Sequence, residues 1–185
     1  MSKPKFPRAV AMDVAAQLCR ALKLATDRLV VAGSLRRLRP EVGDVEILYI
    51  PKFDTVQDGL FDTKQVNLAD SVIEQLLSVG ELAKRENVNG GTAWGQKNKL
   101  ARHVRSGIPV DLFEATTGNW FNYLVCRTGS ANHNLRIAQA AQDKGWKWHP
   151  YGEGFTDLYG DLVRVESEQD VFRLVGLPYL EPKER

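Results

Sequence analysis

The chain has 185 residues, of which 43% are hydrophobic and 26% charged, and its formal net charge is +2. This length and apolar content are enough for one globular domain with a core, with or without a small second lobe. Because no run of 18 apolar residues and no apolar leader is found, we expect neither a membrane span nor a secretory signal. Cys19 and Cys126 are expected to be free thiols in a cytoplasmic protein.

Charge is distributed unevenly along the chain. Residues 1–43 carry nine basic and three acidic side chains and residues 96–149 carry eight and three, whereas 44–95 and 150–185 are acidic. Such blocks would allow a basic cleft for a phosphate backbone on a nearly neutral protein. An unevenly charged, solvated surface explains them equally well.

Hydrophobic spacing and turn residues predict a mixed set of helices and strands. Helices are predicted at 7–25, 67–80, 117–129, 130–145 and 167–176, and strands at 27–33, 44–51, 81–87, 97–105, 108–115, 146–148 and 161–165. The polar stretch 51–65 is predicted to be a loop, and Ser130 and Ser167 are predicted helix N-caps. This order indicates a leading helix, a mixed sheet with its helices, and a smaller α/β lobe after residue 117.

Two carboxylates, Asp44 and Glu46, are separated by one residue on the predicted strand 44–51. Alternate residues of a strand point to opposite faces, so these two share one face and Val45 and Ile47 share the other. Like charges this close repel each other unless a cation lies between them. That cation could be a metal or an arginine, and a plain solvent-exposed face with only water is a further alternative.

A Gly-Ser dipeptide, Gly33-Ser34, ends the preceding strand and opens a short helical turn. Free backbone N–H groups and the serine hydroxyl favour an anion there, and Arg36 and Arg37 add positive charge. Such an anion cradle ten residues before the carboxylate pair fits a metal-bound triphosphate, since Mg²⁺ takes oxygens from carboxylates and phosphates. The stretch IPVDLFEA offers Asp111 as a third carboxylate, although this residue could also pair with an arginine.

These motifs together resemble the DNA polymerase beta-like nucleotidyltransferase superfamily, in which Gly-Ser, GDVE and a later VDL strand follow in this order. The segments FPRAVAMDVAAQLCRAL, RTGSANHNLRIAQAAQDKGWKWHPYG and SEQDVFRLVGLPYLEPKER are similar to segments of the family X DNA polymerases, so the resemblance runs from residue 6 to the last residue. It implies an α/β (α+β) fold. A nucleotidyltransferase palm with a mixed β-sheet would occupy 1–117, and a small C-terminal α/β lobe that binds the nascent base pair would occupy 118–185.

The resemblance also implies roles for individual residues. Asp44 and Glu46 would bind two Mg²⁺ ions, with Mn²⁺ as an alternative, and Asp111 would bind the ion at the primer terminus and act as general base. The implied nucleotide contacts are Gly33, Ser34, Arg37, Gly43, Thr128, Gly129 and Asn134, of which Asn134 would meet a minor-groove edge. The implied DNA contacts are Lys97, Lys99, Arg127 and Arg136.

Four features depart from the family pattern. Glu46 stands where the polymerases usually have Asp, Cys126-Arg127 where two aromatics often precede TGS, and Pro109 where an arginine is often found. The chain is also expected to lack the lyase lobe and the helix-hairpin-helix clamp. These departures concern the choice of metal, the discrimination between sugars and the strength of DNA binding.

The sequence therefore predicts a minimal, template-directed DNA polymerase that fills short gaps. Its partners would be a nucleoside triphosphate and primer-template or gapped DNA, without a membrane, and it would act as a monomer in the cytoplasm, or in the host-cell cytoplasm if viral. One alternative is a template-independent nucleotidyltransferase acting on nucleic-acid ends or another acceptor, and another is a non-catalytic nucleic-acid-binding relic. The TGS…N segment and the C-terminal lobe favour the polymerase, because by the resemblance they recognise a base pair.

Overall fold

A computed structural model describes residues 4–59, 62–86 and 90–185. The chain forms two compact units. The first contains the residues up to Val31 together with Glu41–Glu114, and the second contains Ala32–Pro40 together with Ala115–Arg185. The division into functional domains at 1–117 and 118–185 stays a prediction.

The helices and strands are numbered in chain order. The helices are α1 (Arg8–Leu22), α2 (Gly33–Arg36), α3 (Leu68–Ser78), α4 (Trp120–Thr128), α5 (Ala131–Asp143) and α6 (Glu168–Leu174). The strands are β1 (Phe6–Pro7), β2 (Thr26–Val31), β3 (Glu41–Val42), β4 (Val45–Pro51), β5 (Phe53–Asp58), β6 (Asp62–Asn67), β7 (Leu82–Lys84), β8 (Asn98–His103), β9 (Pro109–Glu114), β10 (Lys147–His149), β11 (Gly154–Thr156) and β12 (Leu162–Arg164). No helix in this described part of the chain has the length and apolarity needed to cross a membrane.

Each predicted helix and strand has a counterpart, and the α+β class is confirmed. The predicted strand 81–87 is observed as β7, and its last residue lies outside the described ranges. Both predicted caps are confirmed, because Ser130 accepts a hydrogen bond from the His133 N–H and Ser167 accepts one from the Asp170 N–H. Cys19 and Cys126 are free thiols, as predicted.

A five-stranded mixed sheet forms the centre of the first unit. Its strand order is β2-β4-β9-β8-β7, with β4 parallel to β9 and the other neighbours antiparallel. Helix α1 packs against β4, and its residues Val14 and Leu18, four apart on one helix face, are buried. Strand β4 is paired on both edges, and its run from Ile47 to Ile50 is buried.

The predicted loop at 51–65 is wrong, since β5 and β6 form an antiparallel two-stranded sheet there. Both strands are mostly exposed and polar, so they lack the apolar alternation from which a half-buried strand is predicted. Polar cross-strand pairs take the place of a core. Gln65 donates a hydrogen bond to Thr55 over 2.7 Å, and Lys64 lies 3.6 Å from Asp58.

The second unit packs helices α4, α5 and α6 with a three-stranded antiparallel sheet of order β10-β11-β12. Its core includes a fully buried polar residue, Asn122, whose amide is satisfied on both sides. The Trp148 indole donates to its oxygen over 2.7 Å, and its nitrogen donates to the carbonyls of His149 and Gly152 over 2.7 and 2.8 Å. These bonds connect α4 to the turn after β10, and buried amides need such partners.

Gly154 opens β11, the strand of this sheet that the sequence does not predict. Its φ is +152°, and a Cβ there would lie 2.2 Å from the Val163 carbonyl oxygen on β12. We therefore expect Gly154→Ala to lower the free energy of unfolding by about 3 kcal/mol, from a steric clash added to backbone strain.

Gly160→Ala is the matched control, because Gly160 also has a positive φ but no atom within 4 Å of a Cβ. It should cost about 1 kcal/mol, for the strain alone. Urea denaturation followed by tryptophan fluorescence measures both, and equal losses would contradict the packing described here.

Candidate active site

Two carboxylates, Glu46 and Asp111, lie on neighbouring parallel strands of the first unit, and a third, Asp44, lies directly ahead of one of them. Glu46 on β4 is in register with Asp111 on β9, and Asp44 comes two residues before Glu46, immediately ahead of β4. In-register residues of neighbouring strands, like alternate residues of one strand, point to the same face of a sheet. Glu46 and Asp111 therefore share one face, with Asp44 directly ahead of β4 in the chain, while the buried Val45 and Ile47 face the other side, as predicted.

Arg85 extends this row of side chains toward the edge of the sheet. It follows β7 directly, and its backbone N–H donates to the Leu100 carbonyl on β8 over 3.0 Å. Leu100 is in register with Asp111, so Arg85, Leu100, Asp111 and Glu46 follow one another across four strands. The Arg85 guanidinium reaches past Leu100 and forms an ion pair with Asp111. Asp111 is thus paired with an arginine, which is one of the alternatives that the sequence left open for this carboxylate.

The donor chemistry of this face fits a divalent cation. Carboxylate oxygens are the ligands that Mg²⁺ and Mn²⁺ take in proteins, and these three carboxylates lie on or directly ahead of neighbouring strands. Within the described ranges, however, no three His, Cys, Asp or Glu side chains converge closely enough to hold a metal ion. Asp111 forms an ion pair with Arg85. Ligation by all three carboxylates would therefore require Asp111 to share or release an oxygen.

The Gly-Ser turn belongs to the second unit and forms the short helix α2. Gly33 has a φ of +62°, a conformation that glycine adopts without strain. The turn closes by backbone bonds from the Arg37 N–H to the Gly33 carbonyl and from the Arg39 N–H to the Ser34 carbonyl, at 3.2 and 3.1 Å. Gly43 lies in the first unit, directly before Asp44.

The two arginines of this turn have different partners. Arg36 forms a two-pronged ion pair with Glu168 over 2.5 and 2.9 Å and donates to the Thr128 hydroxyl over 2.6 Å. Arg37 donates to the Thr128 backbone carbonyl. The two-pronged pair commits Arg36 to a carboxylate of the protein.

Glu168 and Arg185 are site-supporting residues that the sequence does not single out. Arg185 donates to Glu168 over 3.1 Å, and its guanidinium lies 5.0 Å from the centre of the Phe172 ring. Arg36 and Glu168 are 132 residues apart in the chain, so no local spacing indicates their pairing. The one signal is the sequence SEQD, which begins at Ser167 and predicts a helix start but no partner for Glu168.

The TGS turn, Thr128-Gly129-Ser130, connects α4 to α5. Gly129 has a φ of +64°, and a Cβ there would lie 3.1 Å from the nearer nitrogen of the Arg37 guanidinium. One helical turn further along α5, the Asn134 side chain donates to the Cys126 carbonyl over 2.8 Å. The turn thus brings Arg37 and three of the predicted nucleotide contacts into one part of the second unit.

The four predicted DNA contacts lie in different environments. Lys97 and Arg136 are exposed. Lys99 is only 4% exposed and forms a 2.7 Å ion pair with Asp70, a position from which an ammonium does not reach a DNA backbone. The Arg127 guanidinium lies 5.3 and 5.1 Å from the ring centres of two tyrosines, Tyr123 and Tyr151.

His133, in the first turn of α5, is 5% exposed and packs on Phe172 with ring centres 5.1 Å apart. Burial, together with the smaller effect of the charges of Arg185 and Arg136, lowers the pKa of His133 to about 4. In an unfolded chain the pKa of histidine is about 6.5. As the pH falls from about 6.5 to about 4, the unfolded chain binds a proton that the folded protein does not, so folding stability falls.

We therefore expect the melting temperature of the wild type to fall more steeply than that of His133→Phe across this pH range. Phenylalanine keeps the ring contact but cannot titrate. Circular dichroism melts between pH 4 and pH 7 measure the two slopes. Parallel profiles would show that His133 does not contribute to the acid sensitivity.

Comparison with known proteins connects both units to polymerases. A family model described as DNA polymerase beta thumb matches residues 123–185. DNA polymerase lambda of Rattus norvegicus is 27% identical over 175 residues, covering 84% of this chain. The DNA polymerase/3′-5′ exonuclease PolX of Bacillus subtilis (strain 168) is 27% identical over 183 residues, covering 98% of this chain. The chain spans 28% of the length of each of these two relatives.

The fold has solved counterparts as well. Leishmania infantum polymerase beta, crystallised as a ternary P/T complex, matches with a TM-score of 0.75 at 22% identity, covering 98% of this chain and 77% of that one. Its ternary gap complex matches with a TM-score of 0.76 at 21% identity, covering 98% and 71%. These matches agree with the resemblance found in the sequence, and the chain is similar to DNA polymerases of family X over most of its length.

Proposed function

We propose that this chain is a DNA polymerase that adds deoxynucleotides to the 3′-hydroxyl of a template-paired primer and fills short gaps. The observation that carries the proposal is the carboxylate face, where Glu46 is in register with Asp111 and Asp44 lies two residues before Glu46. The relatives are named as DNA polymerases, and the solved neighbours are described as primer-template and gap complexes. These descriptions support DNA as the partner.

On this proposal the carboxylate face supplies the acid–base chemistry. Asp44, Glu46 and Asp111 would hold divalent ions, Mg²⁺ or Mn²⁺, which when bound lower the pKa of the attacking hydroxyl and neutralise charge on the triphosphate. Asp111 is the proposed general base and accepts the proton of the primer 3′-hydroxyl. Glu46 provides a carboxylate one methylene longer than the aspartate usual in the family.

The Gly-Ser turn is the proposed phosphate-binding element. Ser34 and Arg37 would bind phosphate oxygens, with the Gly33 turn and the Gly43 N–H assisting. Because Arg36 is already bonded to Glu168 and Thr128, we assign it a supporting role. Arg37 would donate to an anionic phosphate oxygen, and such a hydrogen bond between two charged groups is stronger than one to a neutral carbonyl.

The TGS turn and α5 are proposed to recognise the nascent base pair, as part of a lobe formed by residues 118–185. Asn134 would donate to the N3 or O2 acceptor of a base, which is common to the base pairs in the minor groove and lets one amide test pairing without reading sequence. The Asn134 side-chain nitrogen carries two N–H donors, of which one already donates to the Cys126 carbonyl. Thr128 and Gly129 would lie against the sugar, and the exposed Lys97 and Arg136 against the DNA backbone.

Extension of a labelled primer tests the proposal. The same primer is presented on one-nucleotide-gapped, recessed and single-stranded DNA, with each deoxynucleotide in turn and with Mg²⁺ or Mn²⁺. We expect the complementary nucleotide to be added fastest on gapped DNA. Addition that ignores the template would instead indicate a template-independent nucleotidyltransferase, and DNA binding without incorporation would indicate a non-catalytic protein.

A further inference from the structure

We propose that Arg85 is a positioning residue that serves as the resident counter-ion of Asp111 and thereby weakens the binding of divalent cations to the carboxylate face. The proposal rests on the proposed function, because it takes Asp111 as a metal ligand. It assigns to Arg85, which follows β7, control over when the Asp111 carboxylate can bind a cation.

The geometry of the sheet brings Arg85 to Asp111. Arg85 is aligned with Leu100, and Leu100 with Asp111, so all three side chains point to the same face. Neighbouring strands lie about 5 Å apart, so a residue two strands away is within reach of an extended arginine but not of a short side chain. Arg85 spans this gap and forms the ion pair.

The pair is more than a surface contact. The Arg85 side chain is 28% exposed and that of Asp111 is 15% exposed, so water screens their attraction only in part. Pro109, two residues before Asp111 on β9, carries no charge. The arginine that pairs with Asp111 is contributed by the segment after β7 and not by the carboxylate's own strand.

A divalent cation approaching this face meets two effects of Arg85. The guanidinium occupies an oxygen of Asp111, and its positive charge repels the incoming cation. Both effects lower cation affinity, so removing the charge should raise it. A purely structural role predicts the opposite, since a carboxylate that has lost its support would bind a cation less well.

The test is a titration of Mn²⁺ into the full chain without nucleotide or DNA, with free Mn²⁺ counted by electron paramagnetic resonance. We expect Arg85→Gln to bind Mn²⁺ about fivefold more tightly than the wild type. Arg85→Lys keeps the charge and should stay within about twofold of the wild type. Arg85→Met removes the charge with a different side chain and replaces Arg85→Gln if that variant does not fold.

Two controls separate the possible failures. Arg105→Gln removes a charge from the exposed turn after β8, where no contact with the three carboxylates is found among the described residues, and should leave the affinity unchanged. Asp111→Asn should weaken Mn²⁺ binding and remove the effect of Arg85→Gln in the double variant. Weakened binding in Asp111→Asn with unchanged or weaker binding in Arg85→Gln overturns this proposal alone. An Asp111→Asn affinity equal to the wild type overturns the metal role of Asp111 in the proposed function, and this proposal with it.

Discussion

Asp111→Asn is expected to reduce nucleotide incorporation on gapped DNA about a thousandfold, while nucleotide binding stays within about twofold of the wild type. Asparagine keeps the shape of the side chain but cannot accept the proton of the primer hydroxyl, and as a neutral ligand it holds a divalent ion less well. The phosphate contacts proposed for the Gly-Ser turn do not involve Asp111. The loss should therefore appear in the rate of the chemical step.

Single-turnover kinetics with a labelled primer measure the incorporation rate, and nucleotide titration of that rate gives the apparent affinity. Asp13→Asn is the matched control, since Asp13 is an exposed carboxylate on α1 of the same unit. It should incorporate nucleotides at the wild-type rate. Wild-type turnover by a folded Asp111→Asn protein would refute the role assigned to this carboxylate.

Glu168→Ala should destabilise the second unit strongly, by about 3 kcal/mol. Glu168 accepts hydrogen bonds from both Arg36 and Arg185, and the Arg185 side chain is fully buried. Burial alone would raise the pKa of Glu168, but the hydrogen bonds and charges of the two arginines lower it below its ordinary value. Removing this carboxylate leaves two guanidiniums without their anion, which costs more than the net contribution of the intact pair.

The matched control is Glu153→Gln, which breaks an ion pair with Arg164 that is largely exposed. Such surface pairs contribute about 0 to 1 kcal/mol. Chemical denaturation followed by fluorescence of the tryptophans in this unit compares the two variants. A change in Glu168→Ala as small as that in Glu153→Gln would contradict the assignment of this cluster as the support of the Gly-Ser turn.

Local signals in the sequence were sufficient for most of the fold. The buried strand β4, with Glu46 in register with Asp111 and with Val45 and Ile47 buried on the other face, follows from strand periodicity and is confirmed. Helix α5 follows from its apolar spacing and its serine cap. In these segments local preference and tertiary packing require the same structure, which is why the prediction succeeds.

The features that the sequence did not predict depend on contacts between residues that are distant in the chain. The β5–β6 pair is polar on both faces, so only cross-strand contacts reveal it. Arg85 reaches Asp111, and Arg36 reaches Glu168, through strand order and helix packing that no local pattern encodes. Lys99 has the charge of a DNA contact, but Asp70 holds it inside the protein, because burial depends on packing as well as on residue type.

The most direct test of templated DNA synthesis is the choice of nucleotide in a one-nucleotide gap. The efficiency of incorporation is measured for all four deoxynucleotides opposite each of the four template bases, with wild type and Asp111→Asn side by side. The proposed function predicts that the favoured nucleotide changes with the template base and that incorporation is lost in the variant. The same nucleotide preference opposite all four template bases, or no incorporation by the wild type, would contradict it.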